Sequence, residues 1–526
     1  MSTYRIGIDV GGTHTDAVVL DEAYNVIAEV KATTTEDVSS GIYDALKKVV
    51  AKSGLPAEEF RYAMLGTTHC TNAIVERKRL NKVAAIRIGA PATTAIKPLV
   101  GVPDDLRAIL GKHLYIVGGG NEFDGREIAP LDEEGIRQIA EELKGQVDSV
   151  AITSVFSPVS TDHELRTAKI IKEVMGEETV LSLSSEIGSV GLLERENATI
   201  LNAAIVDVAR STADGFVKAL EKEGIHADVF FGQNDGTLMS VEYTVKYPIL
   251  TIACGPTNSL RGAAYLTDKP DALVVDVGGT TTDVGVLVGS FPRQSSLAVE
   301  IGGVRTNFRM PDIASIGLGG GTVITIKEDG SYQIGPESVG YRLIEKGLVF
   351  GGDTLTTTDI AVAAGKAKLG NPELVNHLHP NTVDKIYAKM VEMAEDTIDK
   401  MKTSSTPVPV ILVGGGSILF PDQLKGASEV IKPENSGVAN AIGSAISQVS
   451  GQIEKIFNAD ELGREKTLEL ARNMAFQQAI EAGADPDQLT LIDLEEVPLS
   501  YLPGNATKIR AKAAGGLLSE RENIQS

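Results

Sequence analysis

Ile8-Asp9-Val10-Gly11-Gly12-Thr13-His14-Thr15-Asp16 returns in the middle of the chain as Val275-Asp276-Val277-Gly278-Gly279-Thr280-Thr281-Thr282-Asp283. Each copy follows an apolar run and leads into another, residues 17–20 and 284–288. The pattern predicts strand, tight turn, strand. Glycine lets such a turn take up positive φ and approach a ligand closely, and successive backbone N–H groups in it form an anion-binding concavity. Two hairpins of this kind facing each other can grip the phosphates of a nucleotide from both sides, with an acid on each half to hold a cation. A single Asp-x-Gly-Gly-Thr is common in structural turns, whereas two copies sharing Asp-Val-Gly-Gly-Thr-x-Thr-Asp point to a common task. Neither copy is a P-loop, and neither is the Gly-x-Gly-x-x-Gly turn that opens a dinucleotide-binding helix.

Working outward, 526 residues exceed what one compact core holds, so two or more domains are expected. A net charge of −22 with scattered Lys and Arg argues against nucleic-acid and anionic-membrane partners. Two cysteines, Cys70 and Cys254, provide neither a disulfide framework nor zinc-cluster spacing. The first five residues run straight into the first strand and no apolar run reaches membrane-spanning length, so the simplest expectation is a cytoplasmic protein. Aromatic residues make up 5% of the chain and tryptophan is absent, which argues against an aromatic stacking platform.

The periodicity predicts an α/β fold with mixed sheets flanked by helices. A hairpin over 4–20 and a strand over 26–33 precede an amphipathic helix over 38–53, with Ile42, Leu46, Val49 and Val50 at helical spacing. Further on, the pattern gives a helix over 356–369 and an apolar strand over 408–413 that feeds Gly414-Gly415-Gly416-Ser417. A helix of small residues follows over 440–449, and a helix from about residue 460 precedes two terminal strands, 490–494 and 507–511. Three regions are expected: 1–190 with the first phosphate hairpin, 191–455 with the second hairpin and a Gly-rich nucleoside loop, and 456–526 as a C-terminal helix and strands.

These residues carry a family resemblance. Gly66-Thr67-Thr68 with Thr71-Asn72-Ala73 and Glu76-Arg77, Glu194-Arg195 with Asn202-Ala203, the Gln233–Gly236 turn, Gly255-Pro256, Asp312 with Gly319-Gly320-Gly321, and the 353–359 segment all resemble motifs of the hydantoinase and oxoprolinase family, HyuA type. The resemblance implies two ribonuclease-H-like lobes of the actin, Hsp70 and sugar-kinase type around a nucleotide cleft. It implies that residues 11–15 and 278–282 hold the β- and γ-phosphates of ATP, that Asp9 and Asp276, with Asp283, hold Mg²⁺ through water, and that residues 414–417 lie under the adenosine. It further implies phosphorylation of the carbonyl oxygen of a cyclic amide, imide or ketone, a HyuB-like partner subunit carrying the hydrolytic half, and homo- or hetero-oligomeric assembly. Departures from the family pattern fall at Ala314-Ser315, at Ile86-Arg87-Ile88-Gly89-Ala90-Pro91, and at Cys254 and Asn258. The nucleotide grip is therefore expected intact and the substrate pocket altered.

Several residues admit two readings. His69 sits in a polar turn expected near the cleft, where substrate contact or proton transfer competes with a loop histidine bonded to backbone. His14 either touches the γ-phosphate or packs over its turn. Asp16 and Asp283 either cap the turn's own N–H groups or face the metal. Arg77 and Arg195 either neutralise phosphate or pair with neighbouring glutamates. Cys70 and Cys254 are expected as buried small residues, and His377 and His379 as surface loop. Two functions compete with an ATP-dependent amide-activating enzyme: an ATP-driven chaperone or reactivating factor for a partner enzyme, and a small-molecule kinase.

Overall fold

A computed structural model describes residues 3–11, 14–33, 38–295, 299–308, 310–327, 329–499 and 506–518. The sequence repeat is a structural repeat. Strand Tyr4–Val10 pairs antiparallel with His14–Leu20, setting Asp9 opposite Asp16, and parallel with Phe60–Gly66. Strand Ala272–Val277 pairs antiparallel with Thr282–Val288, setting Asp276 opposite Asp283, and parallel with Val408–Val413. Each hairpin thus anchors its own mixed sheet, of nine strands in the first lobe and six in the second.

Strand alternation decides what covers each face of the first sheet. Ala17 and Val19 pack with Ile42, Leu46 and Val49 of helix Val38–Ser53, while Val18 and Leu20 pack with Ala441, Ile442 and Ala445 of helix Ala439–Ile446. Burying each large aliphatic side chain contributes about 1.5–3 kcal/mol. Helix Ala439–Ile446 also crosses helix Cys254–Thr267, and the crossing explains the small-residue composition. A Cβ at Gly262 would collide with the carbonyl of Ala439, and one at Gly443 with the carbonyl of Asn258. The two backbones touch at the base of the cleft between the lobes.

Between strand Phe60–Gly66 and helix Leu192–Ala204 the chain inserts a four-stranded parallel sheet in the order 113–118, 83–90, 149–154, 180–183. Parallel strands covered on both faces read as continuous apolar runs, and Val83–Ala90 is buried over all but its last residue. Arg87 lies within that strand, fully buried, with Nε 2.8 Å from Glu196 Oε1. The departure at residues 86–91 is therefore a central strand with an internal ion pair.

Several elements differ from expectation, among them the helix expected over 440–449, which ends at Ile446 before a strand begins at Val449. The helix expected over 356–369 stops at Ala363, because Gly365 turns the chain at φ +69° and Lys366 N bonds back to Ala361 O. The hairpin Thr322–Ile326 with Tyr332–Ser338 was not expected, although Asp329-Gly330 supplies its turn, with Gly330 at φ +82°. The terminal strands are longer, Thr490–Pro498 and Ala506–Gly515, and they extend the first lobe's sheet through Val449–Asn458. Helix Arg464–Glu481 closes over them with Ala471, Ala475 and Ala479, spaced by four on one face.

Candidate functional site

The turns of both hairpins open onto one cavity of about 500 Å³ between the lobes. Gly11 and His14 come from the first turn, Gly278, Gly279, Thr280 and Thr281 from the second, and Gly414, Gly415 and Gly416 from the loop after strand Val408–Val413. Gly12 and Thr13 lie outside the described residues. Thr15 and Thr282 sit in strands and are fully buried; the Thr282 hydroxyl donates to Leu318 O, and Thr15 Oγ1 has no partner among the described residues. Of the 319–321 loop only Gly320 reaches the cavity. That loop braces the second turn, with Gly320 N bonded to Gly278 O at 3.0 Å and Gly321 N to Gly279 O at 2.7 Å. Ser417 is buried behind its loop, where its N–H closes the turn on Gly414 O.

Four carboxylates line the same cavity: Asp9, Asp16, Asp276 and Asp283. Asp9 is 3% exposed and accepts from two amides, Asn258 Nδ2 on Oδ1 and Asn440 Nδ2 on Oδ2, each at 3.0 Å. Asp276 accepts from Ser259 Oγ at 2.5 Å, and Asp283 from Ser315 Oγ. Asp16 accepts from Lys31 Nζ at 2.7 Å and Asn440 Nδ2 at 2.9 Å, so it is held by side chains from strand Val26–Thr33 and helix Ala439–Ile446. Burial pushes the carboxyls of Asp9 and Asp283 up to about 6 and also raises that of Asp276; hydrogen-bond donors oppose the effect in all three.

Each matched acid rests against a glycine at the end of the neighbouring parallel strand. A Cβ at Gly66 would overlap Asp9 Oδ1, and one at Gly414 would overlap Asp276 Oδ1. The repeat therefore extends beyond the hairpins to a glycine that makes room for each carboxylate. Among the described residues no three His, Cys, Asp or Glu side chains close on one point as a direct metal shell. The donors are instead carboxylate oxygens spread across the cavity wall, a set suited to a hydrated Mg²⁺, which keeps several of its waters.

Other candidates resolve differently. Thr68 reaches the cavity, while the His69 ring bonds Thr67 Oγ1. His14 lines the cavity, and burial lowers its pKa. Arg77 bonds Ile74 O, Gly302 O and Asp105; Arg195 bonds Ser184 Oγ, Ser189 O and Ser154 O, so both arginines are committed to the protein's own groups. Burial pushes the thiols of Cys70 and Cys254 up to about 11 and about 12, leaving them protonated near neutrality. His377 and His379 are exposed.

Two features escaped the sequence. Lys31, on strand Val26–Thr33, lines the cavity beside Asp16. The cavity wall also carries an apolar group, Tyr341, Leu343, Ile344, Phe350 and Leu369. The low aromatic content had argued against a stacking surface, yet two aromatic side chains stand here. The run Tyr341-Arg342-Leu343-Ile344 just after a strand was the signal available for it.

The sequence pattern of the hydantoinase/oxoprolinase N-terminal region matches residues 5–175, and that of hydantoinase/oxoprolinase matches residues 195–404. The chain belongs to the hydantoinase/oxoprolinase family. It is 25% identical over 419 residues to the caprolactamase subunit alpha of Pseudomonas jessenii, a match covering 74% of this chain and 58% of that one. It is 28% identical over 393 residues to the acetophenone carboxylase gamma subunit of Aromatoleum aromaticum, covering 68% and 53%. The chain thus spans little more than half the length of these two members of the comparison. The crystal structure of the ATP-dependent caprolactamase from Pseudomonas jessenii superposes with a TM-score of 0.80 at 19% identity, over 97% of this chain and 87% of that one, which establishes a shared fold. No helix among the described residues is long and apolar enough to cross a membrane.

Proposed function

We propose that the chain is the ATP-binding part of a hydantoinase/oxoprolinase-type enzyme that activates a cyclic amide, imide or related carbonyl by phosphorylating its oxygen. The observation that carries this is the convergence of both glycine–threonine turns, with their matched acids, on a single cavity large enough for a nucleotide. The turns supply backbone N–H groups to the β- and γ-phosphates, the Gly414–Gly416 loop lies against the nucleoside, and the apolar wall residues take the base. Asp9, Asp276 and Asp283 would hold Mg²⁺ through water. Bound there, the ion neutralises phosphate charge among the four carboxylates, which would otherwise repel it.

An amide resists water because resonance stabilises its carbonyl. Transfer of the γ-phosphoryl group to the oxygen removes that stabilisation and leaves phosphate as the leaving group when water, or another nucleophile, adds to the carbon. The protein's part is to position the two reactants and to shield charge. Relatives named as alpha and gamma subunits support a second subunit of the HyuB type completing the reaction.

The test is phosphate release by the purified chain with Mg·ATP, alone and with a HyuB-type partner, against a panel of lactams, hydantoins and ketones. Stimulation by one substrate class supports the proposal. Turnover that responds only to a protein client would place the chain with the reactivating factors instead.

A further inference from the structure

Among the described residues lining the cavity, Lys31 is the one lysine or arginine, set against four carboxylates. It belongs to the first lobe, in register with Asp16 on the adjacent strand. Its ammonium bonds Asp16 Oδ1 at 2.7 Å and reaches across to the carbonyl of Gly437 at 3.0 Å, in the segment that leads into helix Ala439–Ile446. The end of the side chain also lies over the nucleoside loop, where a Cβ on Gly415 would come within 3.5 Å of Cε and 3.9 Å of Nζ. An ammonium has three N–H donors. Among the described residues two are used, and the side chain remains 35% exposed at the cavity wall.

We infer that Lys31 is a nucleotide-contacting residue whose third N–H donates to a phosphate oxygen, so that a filled cleft ties the first hairpin's acids to the Gly437 segment through one cation. This rests on the nucleotide reading of the cleft. Its physical basis is charge. The backbone N–H groups of the turns carry only partial charges, and a polyphosphate entering a site with four carboxylates needs a full positive charge besides the metal. Lys31 already spans the first hairpin and the Gly437 segment, so the contact requires no rearrangement of either.

The experiment measures binding of Mg·ATP, Mg·ADP and adenosine to the full chain by calorimetry, for wild type, Lys31→Met, Lys31→Arg and the double variant Lys31→Met/Asp16→Asn. Thermal melting of each verifies folding. Loss of a charge-assisted contact predicts that Lys31→Met weakens both nucleotides about tenfold or more and adenosine by no more than about twofold. Lys31→Arg should recover most of the affinity. The double variant separates the two roles open to this lysine: if Lys31 served only to neutralise Asp16, removing both charges would restore wild-type affinity, and the inference would be overturned. Equal loss of adenosine and ATP, or no loss of either, overturns it as well. A wild-type chain that binds no nucleotide would instead remove the reading of the cleft itself, and this inference with it.

Discussion

Asn258 Nδ2 lies 3.0 Å from Asp9 Oδ1, and the next residue along the same helix, Ser259, places its hydroxyl 2.5 Å from Asp276 Oδ2. Consecutive side chains of one helix therefore hold the matched acids of both lobes. The helix lies at the base of the cleft, where it crosses Ala439–Ile446, whose Asn440 holds Asp9 from the other side. The separation of the two acids is thus set by one short, rigid piece of backbone rather than by the lobes' outer contacts.

That arrangement predicts that Asp9→Ala and Asp276→Ala each weaken Mg·ATP binding on the order of a hundredfold or more, with the fold retained. Asp9→Ala leaves the buried Asn258 amide unpaired, at about 1–3 kcal/mol, while Asn440 keeps its bond to Asp16, so Asp9→Asn is the matched control for stability. Calorimetric titration with Mg·ATP, alongside denaturant melts, checks both. Unchanged nucleotide affinity in the two alanine variants would remove these acids from the site.

The acids were legible because the hairpin signature is local: glycines, hydroxyls and carboxylate lie within nine residues, and the period-two apolar runs on either side mark the strands. What holds the acids was not. Asn258, Ser259 and Asn440 reach the site from two helices far along the chain, and nothing in a helix of small residues marks which side chain points at a carboxylate. Lys31 was hidden for the same reason, since its position depends on strand register with Asp16. Tyr341 and Phe350 were hidden by averaging, because a chain poor in aromatics can still concentrate two at one place. Arg87 shows the converse: a charged residue inside an apolar run marks a buried ion pair, whose partner Glu196 only the fold supplies.

The raised carboxyls give stability a pH dependence of definite sign. Asp9 and Asp283 titrate near 6 in the folded chain and near the ordinary carboxylate value when unfolded. Between about pH 4 and pH 6 the folded state binds more protons, so stability falls as pH rises through that window and levels off above it. Asp283→Asn removes one such group. It should raise stability on the order of 1–2 kcal/mol at pH 7.5 and leave it nearly unchanged at pH 4. Chemical denaturation of wild type and variant across this range, without added divalent cation, measures the difference. Equal effects at both ends would show that ionisation at this position is not disfavoured by the fold.

The helix crossing predicts a strong dependence on two glycines. Gly443→Val and Gly262→Val would each drive a side chain into the facing carbonyl, and destabilisation of more than about 3 kcal/mol is expected because backbone cannot yield as a side chain does. Gly317→Ala, at an exposed glycine with no atom within 4 Å of the added carbon, should change stability by less than about 0.5 kcal/mol. Denaturant midpoints for the three variants provide the comparison.

On the apolar part of the cavity wall, Tyr341 is 46% exposed and Ile344 66%, unusually open for residues of their size. Large apolar side chains left uncovered around a polar cleft are accounted for by a flat ligand that covers them, and in the proposed function that ligand is the base. Aromatic stacking on a base contributes about 1–3 kcal/mol by alanine substitution. Tyr341→Ala should therefore weaken ATP and adenosine alike, by about 5- to 100-fold, and leave tripolyphosphate binding unchanged, while Tyr341→Phe keeps most of the affinity. This pattern is the reverse of that expected for Lys31, where phosphate-bearing ligands suffer and adenosine does not. Measured together by calorimetry, the two substitutions orient the nucleotide in the cleft; if Tyr341→Ala leaves adenosine binding untouched, the base does not lie against this wall.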